Sequence, residues 1–342
     1  MELSPQQQSC TVTINNSDKI VSIKHGSSLL AGLARNGIFV PSACGGNARC
    51  GYCKVKVLSG GGVVTGPEEP LLTIEEKADH IRLSCQVKVQ NDLEIEIPAG
   101  LFSVKRFSGR IVEKGPLTYD ILHLSIECVN PKTIEFSAGQ YVQVKSMPYD
   151  GKEAVLRDFS IASPPSRQTG IELMVRRTPN GVFTPWVFDH VKVGDSISFT
   201  GPFGDFKISE NAETPMLFIA GGSGMAPVWS ILQDMRAKKT MRPLYYFFGA
   251  LTQRDLFLME RLIEMEKEFH EFRFIPALSN EPLESNWRGE RGLITDVVAR
   301  HMPDCKNREA YLCGSPGMIN ACIKVLRNNG MPEKNIYFDK FA

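Results

Sequence analysis

The stretch ACGGNARCGYCKVKV, residues 43–57, sets three cysteines within ten residues among glycines and other small side chains. Cys44, Cys50 and Cys53 are spaced C-x5-C-x2-C, and a fourth cysteine, Cys85, follows in RLSCQV at the start of a predicted strand. Four thiolates suit either a structural zinc ion or an iron-sulfur cluster. Zinc ribbons pair two short C-x2-C knuckles, whereas here three ligands share one loop and the fourth stands apart. Bridging sulfides carry negative charge and need several backbone N–H groups turned inward, which a loop containing Gly45, Gly46 and Gly51 supplies without steric penalty. The reading is therefore a 2Fe-2S cluster on Cys44, Cys50, Cys53 and Cys85. The alternative is zinc at the same four thiols in a protein without redox chemistry.

The rest of the chain narrows the setting. With 342 residues, 42% apolar and 23% charged, it is an ordinary globular sequence too long for one hydrophobic core, and two or three domains are expected. Lys plus Arg (39) balance Asp plus Glu (38), so the basic excess of a nucleic-acid binder is missing and nucleic acid is excluded as a partner. MELSPQQQSC at the start has no charged segment leading into an apolar one, and no run approaches the ~20 apolar residues that span a bilayer. The expectation is a cytoplasmic protein without a transmembrane segment, its nine cysteines serving as ligands and buried thiols rather than disulfides. Cys10, Cys128, Cys305 and Cys322 fall in no motif and are read as structural.

Three segments follow from the rhythm of apolar residues. Residues 1–100 hold the alternating runs CTVTI and KIVSI, a short helix in SLLAGLARNG and a closing strand in DLEIEI. PAGLFSVKRF then reads as a linker. Over 101–210, runs such as YVQVKSM, IELMVRR and SISFTG recur between the turn signals PPS, TPNG and VGD, which predicts a small antiparallel barrel. Over 211–342, strands such as MLFIAGG, PLYYFFGA and EAYLCG alternate with helical stretches, which predicts a doubly wound parallel sheet.

The barrel segment contains AVLRDFSIASPP, with Arg157-Asp158-Phe159-Ser160 on a predicted strand. Here the chain resembles the ferredoxin-NADP reductase superfamily, whose flavin motif is Arg-x-Tyr-Ser/Thr. The resemblance implies that Arg157 pairs with a flavin phosphate, that Phe159 packs on the isoalloxazine, and that the Ser160 hydroxyl lies near N5. A guanidinium fork suits phosphate and an aromatic face suits a flat ring; Phe159 lacks the tyrosine hydroxyl of the motif. Downstream, NGVFTPWVFDHV offers Thr184 as an N-cap and Pro185 as a first helical residue, which would aim free N–H groups at a pyrophosphate. An ordinary capped helix is the plainer reading. The superfamily's Gly-x-x-Ser/Thr is matched by Gly181, Val182, Phe183 and Thr184.

MLFIAGGSGMAPVWSIL is a strand, a glycine turn and a helix, the arrangement that lets a backbone approach a pyrophosphate. Gly221, Gly222, Ser223 and Gly224 form the turn, and Met225, Ala226 and Pro227 open the helix, with Pro227 in the third glycine position of a G-x-G-x-x-G pattern. YLCGSPGMINAC matches the superfamily's Cys-Gly-x-Pro, which implies that Cys313 sits beside the nicotinamide while Gly314, Ser315 and Pro316 shape the turn; without them Cys313 would read as a small buried apolar residue. The C-terminal YFDKFA supplies Phe341 as the aromatic that in this superfamily covers the flavin until nicotinamide displaces it, with packing into a core as the alternative. Asp339 is either the acidic group of the family or a surface charge. FFGALTQRDLF carries only Arg254, beside Asp255, where a 2′-phosphate would need cations, so NADH is expected over NADPH.

Taken in order, a β-grasp ferredoxin, an FAD barrel and an NAD domain resemble the reductase components of multicomponent monooxygenases. ACGGNARCGYC, LSCQVKVQNDLEIEIP and DKFA are closer to the F subunits of Na+-translocating NADH:quinone oxidoreductases, which carry an N-terminal membrane helix for which this sequence offers no apolar run. The resemblance implies hydride transfer from NADH to FAD, then single electrons through the 2Fe-2S cluster to a redox partner protein such as an oxygenase. A place in a respiratory quinone-reducing assembly, with peripheral attachment to a membrane complex, is the alternative.

Overall fold

In the computed structural model, which describes residues 9–209, 213–240 and 242–340, the alternating runs near the start pair as a hairpin. β1 (Ser9–Ile14) lies antiparallel to β2 (Lys19–Lys24), with Val12 opposite Val21. Helix α1 (Leu29–Arg35) is capped by Ser28, whose hydroxyl accepts from the Ala31 N–H at 3.3 Å, as serine commonly does at a helix start. Gly32 decides where this helix rests: a Cβ there would come within 2.3 Å of Ile23 on β2, so only glycine permits the approach. β3 (Lys54–Ser59), α2 (Ile74–Ala78), β4 (Ile81–Leu83) and β5 (Leu93–Glu96) complete a five-stranded sheet in the order β2-β1-β5-β3-β4. β1 and β5 run parallel and the other neighbours antiparallel. A helix laid on a mixed sheet of this order is a β-grasp domain, closed by Ile14, Leu29, Leu33, Leu83, Val87 and Ile95, all fully buried.

The middle of the chain forms β6 (Lys105–Pro116), β7 (Ile121–Asn130), β8 (Tyr141–Lys145), β9 (Leu156–Ser160), β10 (Gly170–Arg176) and β11 (Ser196–Phe203). Their order is β10-β7-β6-β11-β8-β9, and a bridge between Ile161 and Leu173 nearly closes the sheet into an antiparallel barrel. Burial alternates along β11, as it must when one face fills a barrel. Between β10 and β11 lies the short helix α3 (Phe183–Pro185), which runs on into a π turn, Trp186–His190.

The last segment alternates strand and helix except where β15 follows β14 directly: β12 (Met216–Gly221), α4 (Met225–Lys238), β13 (Leu244–Ala250), α5 (Met259–Glu268), β14 (Phe272–Leu278), β15 (Glu290–Arg291), α6 (Ile294–His301), β16 (Glu309–Gly314), α7 (Pro316–Asn328) and β17 (Ile336–Lys340). The order is β15-β14-β13-β12-β16-β17, with every neighbouring pair parallel. β12 and β16 are buried almost throughout, as central strands covered on both faces are. The chain moves outward from β12 to β15 and then returns to β16 on the other side. Such a reversal opens a crevice at the C-terminal ends of the strands, between β12 and β16.

By internal packing the molecule forms two compact units. One comprises the chain up to Phe107 with Val142–Asp158 and Ser198–Phe203; the other comprises Ser108–Tyr141, Phe159–Ile197 and the chain from Gly204. No helix of the described residues is long and apolar enough to cross a membrane. All nine cysteines are unpaired thiols, with Cys10, Cys128, Cys305 and Cys322 buried.

Candidate functional site

The loop between α1 and β3 carries Cys44 and Cys50, both half-buried, with their sulfurs 3.4 Å apart. Cys53 precedes β3 and Cys85 follows β4. Because Lys54 of β3 lies opposite Leu83 of β4, the antiparallel register brings Cys53 and Cys85 together, and their thiols hydrogen-bond. The four thiols thus stand as two pairs. Among the described residues no three His, Cys, Asp or Glu side chains converge on one point as a single ion would require. A tetrahedral zinc needs four sulfurs about 2.3 Å from one centre. A 2Fe-2S cluster divides four thiolates over two irons, and two pairs match that division.

The loop is also built for negative charge. Gly45 and Gly46 at φ +66° and +90° turn the backbone inward, a conformation that costs glycine nothing. Burial opposes ionisation of Cys44, but the N–H groups of Arg49, Cys50 and Asn47 outweigh it and bring the thiol down to about 7. The Cys53 thiol donates to Cys85, and this bond lowers Cys85 to about 6 against the effect of burial, while Cys53 is pushed up by the same bond. Burial raises Cys50. Ser84, fully buried beside Cys85, turns its hydroxyl toward the Cys53 sulfur and favours the thiolate there, against the larger effects of the Cys85 bond and of burial. Buried hydroxyls are ordinarily satisfied, and a cysteine sulfur of the site is the acceptor within reach of this one.

The flavin motif lies on β9, where side chains alternate between faces. Arg157 and Phe159 share one face, Arg157 exposed and Phe159 half-buried, while Asp158 on the other accepts from Gln143 Nε2 at 3.0 Å. The Phe159 ring meets Phe183 at 5.0 Å between centroids, and Phe183 stands edge-on to Trp186 at 5.4 Å. Gly181–Thr184 therefore abuts β9 through its aromatic residue. Thr184 is not the N-cap that the sequence suggested. It sits inside α3, buried, and its Oγ1 accepts from the Thr178 N–H at 2.9 Å. The hydroxyl closes the turn before the helix instead of capping it, so the helix starts two residues earlier than expected, at Phe183, and Pro185 takes the third helical position.

Ser160 ends β9, is 5% exposed, and donates from Oγ to Asp339 Oδ2 at 3.4 Å. Asp339 lies on β17 directly opposite Cys313 on β16. Burial raises its carboxyl above the ordinary range, and the Ser160 bond opposes that shift. Burial, with Asp339 adding to it, drives the fully buried Cys313 thiol far up, so it is neutral. On its other side, Cys313 touches the glycine turn: a Cβ at Gly224 would come within 2.3 Å of the Cys313 carbonyl oxygen. Gly224, Cys313, Asp339 and Ser160 therefore form one continuous line from the turn after β12 to the end of β9. Asp339, left open in sequence, is thus a partly buried group that bonds Ser160. Phe341 lies outside the described residues.

The two turns at the switch point are capped in different ways. Gly222–Gly224 is a single tight turn leading into α4, with Pro227 in the first helical turn, where no N–H is needed. Ser315 caps α7 through Oγ to the Met318 N–H at 3.5 Å, with Pro316 in first position. Together Gly221, Gly222, Ser315 and Met318 line one end of a cavity of about 340 Å3 that runs under the ends of β13 and β14. Arg176, at the end of β10, also lines it, held by Asp120 at 2.8 Å and lying against Gly222. It is the one cation among the lining residues, and it stands beside the glycine turn. Sequence reasoning missed Arg176 and Asp120, since nothing in VRR says which arginine the barrel turns toward this cavity.

Comparison with known proteins agrees with this geometry. Residues 12–90 match the 2Fe-2S iron-sulfur cluster binding domain family, 108–208 the oxidoreductase FAD-binding domain and 218–324 the oxidoreductase NAD-binding domain. The F subunit of the Na+-translocating NADH-quinone reductase of Pseudoalteromonas atlantica is 31% identical over 97% of this chain and 91% of its own length. That of Neisseria gonorrhoeae is 33% identical at the same coverage. Among solved structures, the Amycolatopsis cytochrome P450 reductase GcoB superposes with a TM-score of 0.80 at 30% identity, covering 97% of this chain and 98% of that one. A ferredoxin reductase of carbazole 1,9a-dioxygenase gives 0.73 at 27%, covering 98% and 99%. The chain is an oxidoreductase with 2Fe-2S, FAD and NAD domains, and it belongs to the family of the Na+-translocating NADH-quinone reductase F subunits.

Proposed function

We propose that this protein oxidises NADH at the β12–β16 switch point and delivers electrons one at a time from the Cys44, Cys50, Cys53 and Cys85 site to a separate acceptor protein. The observation that carries the reading is the line Gly224–Cys313–Asp339–Ser160, which joins a nucleotide turn to the flavin strand. When bound, FAD supplies the two-electron to one-electron conversion between a hydride donor and a 2Fe-2S cluster. The protein's own groups do the rest. The Gly222–Gly224 turn and Arg176 hold the pyrophosphate. Cys313, small and neutral, leaves room for the nicotinamide without adding charge. Ser160 presents a hydroxyl whose orientation Asp339 sets, and its own burial shields it from water.

In this reading Arg157, Phe159 and the Gly181–Thr184 turn hold the flavin, and Phe341 gates its face. The domains divide near residues 100 and 210, supported by the 3-10 turn Ala99–Ser103 before β6 and by the start of β12 at Met216. The acceptor is an oxygenase-type or similar redox protein and the location is cytoplasmic. A quinone-reducing membrane assembly is the second reading, favoured by relatives that are aligned over 91% of their length. The test is an anaerobic optical titration with NADH, with iron and zinc assayed on the same sample. Bleaching of both flavin and iron-sulfur bands is expected. Zinc in place of iron, or bleaching of flavin alone, would overturn the proposed electron path.

A further inference from the structure

The nucleotide cavity extends past Gly249 and Ala250 to a far end lined by Leu251, Asp255 and Ser279. In α/β sheets of this kind an acidic group after the second strand meets the ribose hydroxyls of a dinucleotide. Asp255 Oδ2 accepts from the Thr252 N–H and Oγ1, both at 2.8 Å, which fixes the carboxylate on the 3-10 turn after β13. The neighbouring cation, Arg254, is absent from the lining. Its guanidinium lies 3.7 Å from the centre of the Tyr119 ring. Tyr119 belongs to the turn between β6 and β7, and its hydroxyl donates to Asp255 Oδ1 at 3.1 Å. One tyrosine thus engages both members of the Arg254-Asp255 pair. Its neighbour Asp120 engages Arg176, so this single turn sorts two arginines, one beside the glycine turn and one away from the cavity.

We propose that Tyr119 is a specificity-determining residue: by holding Arg254 on its ring and bonding Asp255, it makes the site accept a 2′-hydroxyl and refuse a 2′-phosphate. The inference rests on the cavity being the nucleotide site. A 2′-phosphate would bring close to two negative charges toward a fixed carboxylate, with the nearest cation engaged elsewhere. A 2′-hydroxyl can instead donate to that carboxylate. The selectivity therefore comes from withholding a cation, not from lacking one in sequence.

The test compares adenosine 2′,5′-bisphosphate with adenosine 5′-monophosphate, which differ only in the 2′-phosphate, by calorimetric binding to the full holoenzyme, alongside the NADPH-to-NADH ratio of kcat/KM. In Tyr119→Leu the affinity ratio should shift toward the 2′-phosphate about twofold to fivefold, the scale on which an exposed ring restrains a cation that pairs well with phosphate. Tyr119→Phe keeps the ring and should shift it less than about twofold. Tyr119→Leu with Arg254→Ala should return the ratio toward wild type, and Asp255→Asn should raise it independently should the leucine variant not fold. An unchanged ratio in Tyr119→Leu with both ligands bound refutes the role of Tyr119. Failure of the wild-type protein to bind either ligand and to oxidise NADH overturns the cavity assignment and this proposal with it.

Discussion

Glu68→Gln keeps the shape of a side chain and removes its charge at a point where the ferredoxin domain depends on that charge. The Glu68 carboxylate, with no solvent exposure, accepts from Thr65 N and Oγ1, from Arg82 Nε and Nη2, and from the Leu83 N–H, all between 2.8 and 2.9 Å. Arg82, 5% exposed, also donates to the carbonyls of Gly61 and Gly62. The pair therefore stitches the loop after β3 to β4, whose end leads to Cys85. A glutamine offers one acceptor atom and turns an NH2 toward existing donors, and it leaves the buried guanidinium without its counter-charge. Breaking one side of such a pair costs about 3–5 kcal/mol. For a domain of this size, about 4–8 °C of melting temperature goes with each kcal/mol, so a fall of roughly 12 °C or more is expected. Melting followed by the visible absorbance of the cluster together with far-UV circular dichroism measures it.

The pH dependence adds a second check on the same residue. Burial opposes ionisation of Glu68, but Arg82 and the Thr65 and Leu83 N–H groups hold its carboxyl below the usual range. The stability it provides is complete above the unfolded carboxyl pKa of about 4.3 and is lost as pH falls through the lower folded value. The gap between wild type and Glu68→Gln should be wide at neutral pH and close well below pH ~4. A fall of under ~4 °C at pH 7, or a gap equally wide at pH ~3, refutes the account.

Cys85→Ser should abolish the cluster while NADH-to-ferricyanide activity through the flavin persists; normal iron content would show that Cys85 is not a ligand. Ser160→Ala removes the hydroxyl that Asp339 orients, and flavin reduction by NADH in rapid mixing should slow by about tenfold, the scale of one lost hydrogen bond to a buried group. The iron-sulfur spectrum should stay as in wild type, and unaltered reduction kinetics would remove Ser160 from the mechanism. Gly224→Ala would place its methyl carbon 2.3 Å from the Cys313 carbonyl oxygen and 2.7 Å from its carbon. Overpacking of this kind costs about 1–3 kcal/mol, so KM for NADH should rise by roughly tenfold with both chromophores intact. An unchanged KM would mean that the turn does not hold the nucleotide.

Elements whose causes are local were legible in the sequence. The C-x5-C-x2-C loop with its glycines, the short helix in SLLAGLARNG, the alternating strands of the barrel and the strand-turn-helix at Gly221–Pro227 each depend on residues within a few positions of one another, so pattern and stereochemistry suffice to find them. Pro316 in the first position of α7 behaves as its local signal says. The same signal at Thr184-Pro185 misled, because the Thr184 hydroxyl had a competing partner in the Thr178 N–H. What the tertiary structure alone decided are the meetings of distant segments. Asp339 becomes a partner of Ser160 only because β17 pairs with β16 in a register that sets it beside Cys313. Likewise Tyr119 can hold Arg254 only because the barrel turn reaches the end of β13. Local sequence reports the conformation a segment prefers; which charges lose their water, and which partners replace it, is settled when separate hydrophobic faces pack and fix the register between them.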